Sequence, residues 1–348
     1  MYSESDLDNA VRAGALTPEA AAALRNHVSA ARSAPAVDEE HFRLLTGFND
    51  IFVSIAIVLL LVAIAWIGET ISEPLAGAGV AAASWGLAEY FTRIRRMALP
   101  SILLLLSFAG GVAATLVGVM VVWNPDFSDR VDALIVAGIA LATAFATWIH
   151  WRRFMVPITV AAGAVALAAS VGALIVTAFQ DPEAAIPWVA LVAGLAIFAL
   201  AMRWDMSDRG RTTRRSDVAF WLHLAAAPMI AHPIFHLLGV LDGAIPPSAA
   251  FIVIALYIGF GLVALAIDRR ALLVSSLAYV LFALSRLFEN AGAVELGTAF
   301  TALIIGSALL MLSAFWHPTR RLVVQRLPEM WQGRLPLTDR FAPAAASA

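Results

Sequence analysis

An all-α membrane bundle of ten transmembrane helices, preceded by a short cytoplasmic helical hairpin, is the fold class this sequence predicts. Three observations carry it. Of the 348 residues 61% are hydrophobic and only 14% are charged, and the mean hydropathy is +0.83, far above that of a water-soluble domain. Ten apolar stretches are each long enough to cross a hydrocarbon core of about 30 Å, for which about 17–20 helical residues suffice. The loops between those stretches alternate in charge.

Residues 1–48 come first. Ser5–Arg12 reads as a short helix closed by Gly14. Thr17-Pro18-Glu19 opens a second, with Thr at the N-cap, Pro in the first helical position and an acid at the positive end of the helix. Leu16, Ala20, Ala23, Leu24 and Val28 make one thin apolar stripe. Such a stripe is too small for a core of its own, so the hairpin is expected to dock on a partner or on the membrane domain. Ser33–Glu40 is read as the linker. The run Gly14-Ala15-Leu16-Thr17-Pro18-Glu19-Ala20, with Leu7 before it, Leu24 after it and a large hydrophobic region beyond, resembles the bacterial membrane proteins grouped as DUF2157. The resemblance covers residues 1–60 and implies a membrane protein of that kind, with no particular activity attached.

The membrane domain is expected over residues 49–317, and an amphipathic or disordered cytoplasmic tail over 318–348. The ten spans are Ile51–Ile67, Leu75–Phe91, Leu99–Trp123, Val131–Trp151, Phe154–Phe179, Ile186–Met202, Val218–Leu241, Ala249–Ile267, Ala271–Phe288 and Leu296–Trp316. The second is the weakest, being rich in Ala and Gly and carrying Glu89. Barrel strands would alternate polar and apolar residues, and these runs do not.

All 23 basic residues are Arg, and all but Arg130 and Arg286 fall on one side of the ten spans. By the positive-inside rule that side, with both termini, is cytoplasmic. Acids such as Glu69, Asp126, Asp181 and Glu295 gather on the other side, and tryptophans mark both interfaces. Arg without Lys, together with heavy use of Ala, suggests a GC-rich bacterial genome and therefore a bacterial inner membrane. The acidic, polar start is unlike a cleavable signal peptide, so the first span is expected to serve as its own insertion signal. With no cysteine there can be no disulfide, thiolate metal site or Cys nucleophile. The net charge of −2 gives no field that would favour nucleic acid.

A weak repeat runs through the spans. Trp85–Pro100 and Phe145–Pro157 share an aromatic helix end, an Arg pair, Met and Pro, at a spacing of roughly 55–60 residues. Such repeats can build a pseudo-symmetric transporter. The plainer reading is that any hairpin with a short inner loop collects arginine. The small-residue faces Gly110–Ala114–Gly118 and Ala162–Ala166–Ser170 predict close helix packing.

The seventh span stands apart. It holds His223, His232 and His236, and Pro228 and Pro233, which free the carbonyls of Leu224 and Met229 and should kink or break the helix. In the ninth span Arg286 and Glu289 lie on one face, at a depth like that of His232 and His236. A buried Arg costs at least about 2.5 kcal/mol at mid-membrane, so Arg286 is expected to pair with Glu289. Should the two spans meet, His232, His236, Arg286 and Glu289 would form one polar cluster, with His223 shallower on the inner side.

Three readings compete for this cluster: satisfied proline carbonyls and a structural ion pair, a substrate or proton site, and a metal site of His232, His236 and Glu289. His-x-x-x-His without the HExxH context is a weak metal signal, so no metal and no cofactor is predicted. The expected function is a secondary-transporter-like carrier of a small molecule, proton-linked if the span-seven histidines titrate. The alternatives are a non-transporting sensor or assembly partner that recruits a cytoplasmic protein through the N-terminal hairpin, and an outer-leaflet enzyme or lipid-handling protein. Membrane lipids, a small-molecule substrate and a cytoplasmic protein or second copy are the partners these readings imply.

Overall fold

The computed structural model describes residues 4–24, 48–123, 127–179, 181–211, 213–239, 247–290 and 297–338. The chain divides into two compact units, Met1–Leu44 and Leu45–Ala348.

In the first unit α1 spans Glu4–Arg12. Gly14 ends it in the left-handed region at φ 73°. Gly14 N donates to the Val11 carbonyl and Ala15 N to the Ala10 carbonyl, the paired bonds of a Schellman stop. Residues 18–24 are helical (α2), and the Thr17 hydroxyl accepts from Ala20 N at 3.1 Å, as an N-cap should. Val28 and the linker Ser33–Glu40 lie outside the described residues.

The second unit is helical throughout, with no strand among the described residues. Its helices are α3 (Phe48–Ile71), α4 (Glu73–Ala88), a π-helix (Glu89–Ile94), α5 (Ala98–Trp123), α6 (Asp129–Phe154), α7 (Ile158–Val176) and α8 (Pro182–Ser207). They continue as α9 (Arg214–Leu237), α10 (Pro247–Ile267), α11 (Ala271–Asn290), α12 (Gly297–Ala314), α13 (Trp316–Gln325) and α14 (Glu329–Gln332).

Among the described residues six helices, α3 and α5 to α9, are long and apolar enough to cross a membrane. The count is seven if α12 and α13, bent by 76° at their junction, are taken as one span. Such a set of apolar helices is that of a multi-pass membrane protein. α4 is shorter and passes into the π-helix at Glu89, the residue that marked it as the weakest stretch.

Helix ends follow local chemistry. Asp129 and Asp132 stand in the first turn of α6 and Arg152 and Arg153 in its last, each sign opposing the helix dipole. Asp181 caps α8 by accepting from Ala184 N, with Pro182 behind it.

The most extensive packings are between chain neighbours, α4 on α5, α8 on α9 and α6 on α7, followed by α3 on α4 and α10 on α11. Beyond them the odd-numbered helices pack two places along the chain, α3 on α5, α5 on α7, α7 on α9 and α9 on α11. α9 is the helix most enclosed by protein: 56% of its span is buried, against 17–33% for the other five. It runs as one α-helix through Pro228 and Pro233, so the break allowed for by its sequence is not made. Neighbouring helices support the backbone there. A Cβ on Gly194 of α8 would come within 2.9 Å of the Met229 carbonyl, the group that Pro233 leaves without its helical donor. Gly194→Ala should therefore overpack this contact and cost about 1–3 kcal/mol. Thermal unfolding in detergent checks it, and an unchanged midpoint would show that the two helices separate freely there.

The repeat seen faintly in the sequence is regular in the fold. Arg96, Met155, Arg211 and Asp268 are the only non-glycine residues with positive φ among those described, and each lies in the turn of one hairpin at the arginine-rich end. Val58, Leu61, Val62 and Ala65 line a groove between α3, α4 and α5, and Ala168, Val171, Gly172 and Ile175 line another between α7 and α8.

Candidate functional site

Two ion pairs sit at equivalent places in this repeat. At the end of α4, Glu89 accepts two hydrogen bonds from Arg153 of α6, at 2.7 and 3.0 Å, and one from Arg93. At the end of α8, Asp205 accepts from Arg269, in the α10–α11 turn, at 2.8 Å. Both pairs join residues 64 apart, the length of one hairpin and a turn. Their surroundings differ. Glu89 and Arg153 are 32% and 43% exposed, a surface pair of modest worth, whereas Asp205 and Arg269 are 0% and 4% exposed.

The buried pair belongs to a larger network at the arginine-rich end. His223 Nε2, in the third turn of α9, lies 2.9 Å from the second oxygen of Asp205. Arg269 also donates to the Ser216 carbonyl at the start of α9. Phe198 packs edge-on against the His223 ring, and His223 Nδ1 is buried with no hydrogen-bond partner among the described residues.

One residue away, Asp268 gathers a second set. It receives Arg211 at 2.8 Å and the Trp316 indole N–H at 2.8 Å, and Arg320 lies 3.6 Å from it. Arg211 also donates to the carbonyls of Ile267 and Asp268. These charges are all buried, so each must be matched, and the low local dielectric makes the matching strong.

The network also holds the C-terminal segment. Arg320 donates to the carbonyls of Pro336 and Leu337, and Arg209 to those of Leu335 and Gln332. Up to residue 338 the region read as a tail is thus folded onto the helices, while 339–348 lies outside the described residues.

The residues singled out from sequence separate into two groups. His223 joins the buried network. His232 and His236, two to four turns further along α9, are exposed, with ring centroids 6.3 Å apart. His232 Nδ1 lies 2.6 Å from the Tyr279 hydroxyl of α11, so the seventh and ninth spans do meet at that level. Arg286 and Glu289 are in α11, but their side chains lie outside the described part of the structure. Among the described residues no group of His, Asp or Glu could hold a metal ion.

Asp205, Asp268, Arg211, Arg269, Arg320 and Trp316 were missed as a site, because the arginines served only as topology markers. Acids in otherwise basic loops, Asp205 and Asp268, were the signal that could have found them. Compared with family models, with curated proteins and with solved structures, the chain gives no match in any of the three.

Proposed function

We propose that this is a ten-span protein of a bacterial inner membrane, with both termini cytoplasmic, that acts as a proton-linked carrier of a small molecule. The likeness of residues 1–60 to the DUF2157 group is part of the same reading. What supports it is the tandem scaffold in which one half keeps its ion pair at the surface and the other buries it beside a histidine. Parallel repeats are a common plan of secondary carriers, and an intramembrane ionisable group marks a functional position by default. On this reading α9 is the working helix. His223 and Asp205 sit at its inner level, and His232 with Tyr279, His236, Arg286 and Glu289 at its outer level.

The test is charge movement in reconstituted vesicles on a solid support, challenged with sugars, amino acids and small organic acids in turn. One class should give a current that His232→Ala and His223→Ala abolish while the purified variants keep a single, monodisperse peak. No current with any class, from protein that unfolds cooperatively, would end the carrier reading. A second reading has its own observation. The close packings run along the chain from neighbour to neighbour, the plan of an array that presents surfaces. That favours a sensor or assembly partner, and it would be left standing by a silent recording.

A further inference from the structure

We propose that the cleft between α11 and α12, at the elbow where α13 turns away, binds an anionic phospholipid. The inference rests on the membrane reading and not on the carrier reading. Arg270 stands at the mouth of the cleft, partly exposed, with its guanidinium 4.8 Å from the centre of the Trp316 ring. Behind it the cleft, of about 110 Å3, is lined by Leu273, Val274 and Leu277 of α11 and by Leu309 and Leu312 of α12.

A cation at headgroup depth, an indole beside it and an apolar channel leading away are the parts a phospholipid needs. The guanidinium meets the phosphate, and the first methylenes of a chain cross the leucines. The elbow supplies the depth. α13 leaves α12 at 76°, so if α12 crosses the bilayer α13 runs close to its surface. α13 buries Trp316, Arg320 and Val324 and exposes His317, Arg321 and Leu322, the mixed face of an interfacial helix.

Charge complementarity selects the class of lipid. Arg270 lies in the α10–α11 turn, at the end where the turns of the other hairpins also carry arginines, Arg96 and Arg211 among them, and basic pockets of this kind between membrane helices retain anionic headgroups. The cleft is small, so a chain crosses it and stays mostly in the bilayer.

Native mass spectrometry of the full chain in detergent, titrated with phosphatidylglycerol, phosphatidylcholine or inorganic phosphate, tests this. One phosphatidylglycerol should be retained in preference to phosphatidylcholine. Arg270→Gln should weaken it about fivefold, the worth of one arginine near a charged headgroup. Leu309→Trp, which fills the cleft and leaves every charge in place, should weaken it as much and keeps the test decisive should Arg270→Gln unfold. Equal retention of the two lipids, wild-type retention by both variants, or displacement by inorganic phosphate would each overturn the site. Failure to retain any lipid would instead count against the membrane reading itself.

Discussion

Asp205→Ala should cost about 3–5 kcal/mol of folding stability, because it strands a buried guanidinium and leaves His223 without its acceptor. Asp205 is fully enclosed, and its two oxygens are divided between Arg269 at 2.8 Å and His223 at 2.9 Å. Neither partner can turn to water. Removing both charges together, in Asp205→Ala with Arg269→Met, should cost less than the sum of the two single changes, since no ion is then left alone in a low-dielectric site. Glu89→Ala should be far milder, because its partners are part-exposed and water replaces the lost bonds. Chemical unfolding in a mild detergent, followed by tryptophan fluorescence, gives all four values. Additive losses at Asp205 and Arg269 would show that the two side chains are not coupled.

Asp268→Asn should be comparably severe, at about 3–5 kcal/mol, and it should also release the C-terminal segment. Asparagine tolerates the left-handed backbone found here at φ 58°, so the change tests charge and not strain. Losing the carboxylate removes the ion that faces Arg211 and Arg320 and leaves one acceptor oxygen where Arg211 and the Trp316 indole each had their own, with an amide N–H2 turned against the other donor. Arg320 then loses the counter-charge that fixes it under the carbonyls of Pro336 and Leu337. Trypsin should cut after Arg326 and Arg334 well before it attacks the helices. A variant with wild-type cleavage times would show that the segment is held by its apolar contacts, such as Leu335 against Ile267 and Val324, and not by the network.

Much of the fold was legible in single stretches of sequence. The Thr17 cap and the Gly14 stop were readable because capping is decided within a turn of the helix. The meeting of His232 with α11 was anticipated only as a condition on how two helices face, and its partner, the Tyr279 hydroxyl, was not. Arg93, one turn on from Glu89, is a partner that counting along one helix finds. Arg153, which gives Glu89 two bonds from another hairpin, could not be found that way.

The sequence by itself determined that this is a chain of apolar helices with basic turns on one side, because hydropathy and charge are sums over neighbouring residues and survive without a fold. It also held the repeat, as spacing alone. Only the tertiary structure decided which arginines are buried. Arg269, Arg211 and Arg320 look the same in sequence as Arg152 or Arg321, a cation in a basic loop. They differ because turns far apart in the chain converge on two aspartates there, and the cost of burying an ion is met only where an opposite charge from another hairpin arrives.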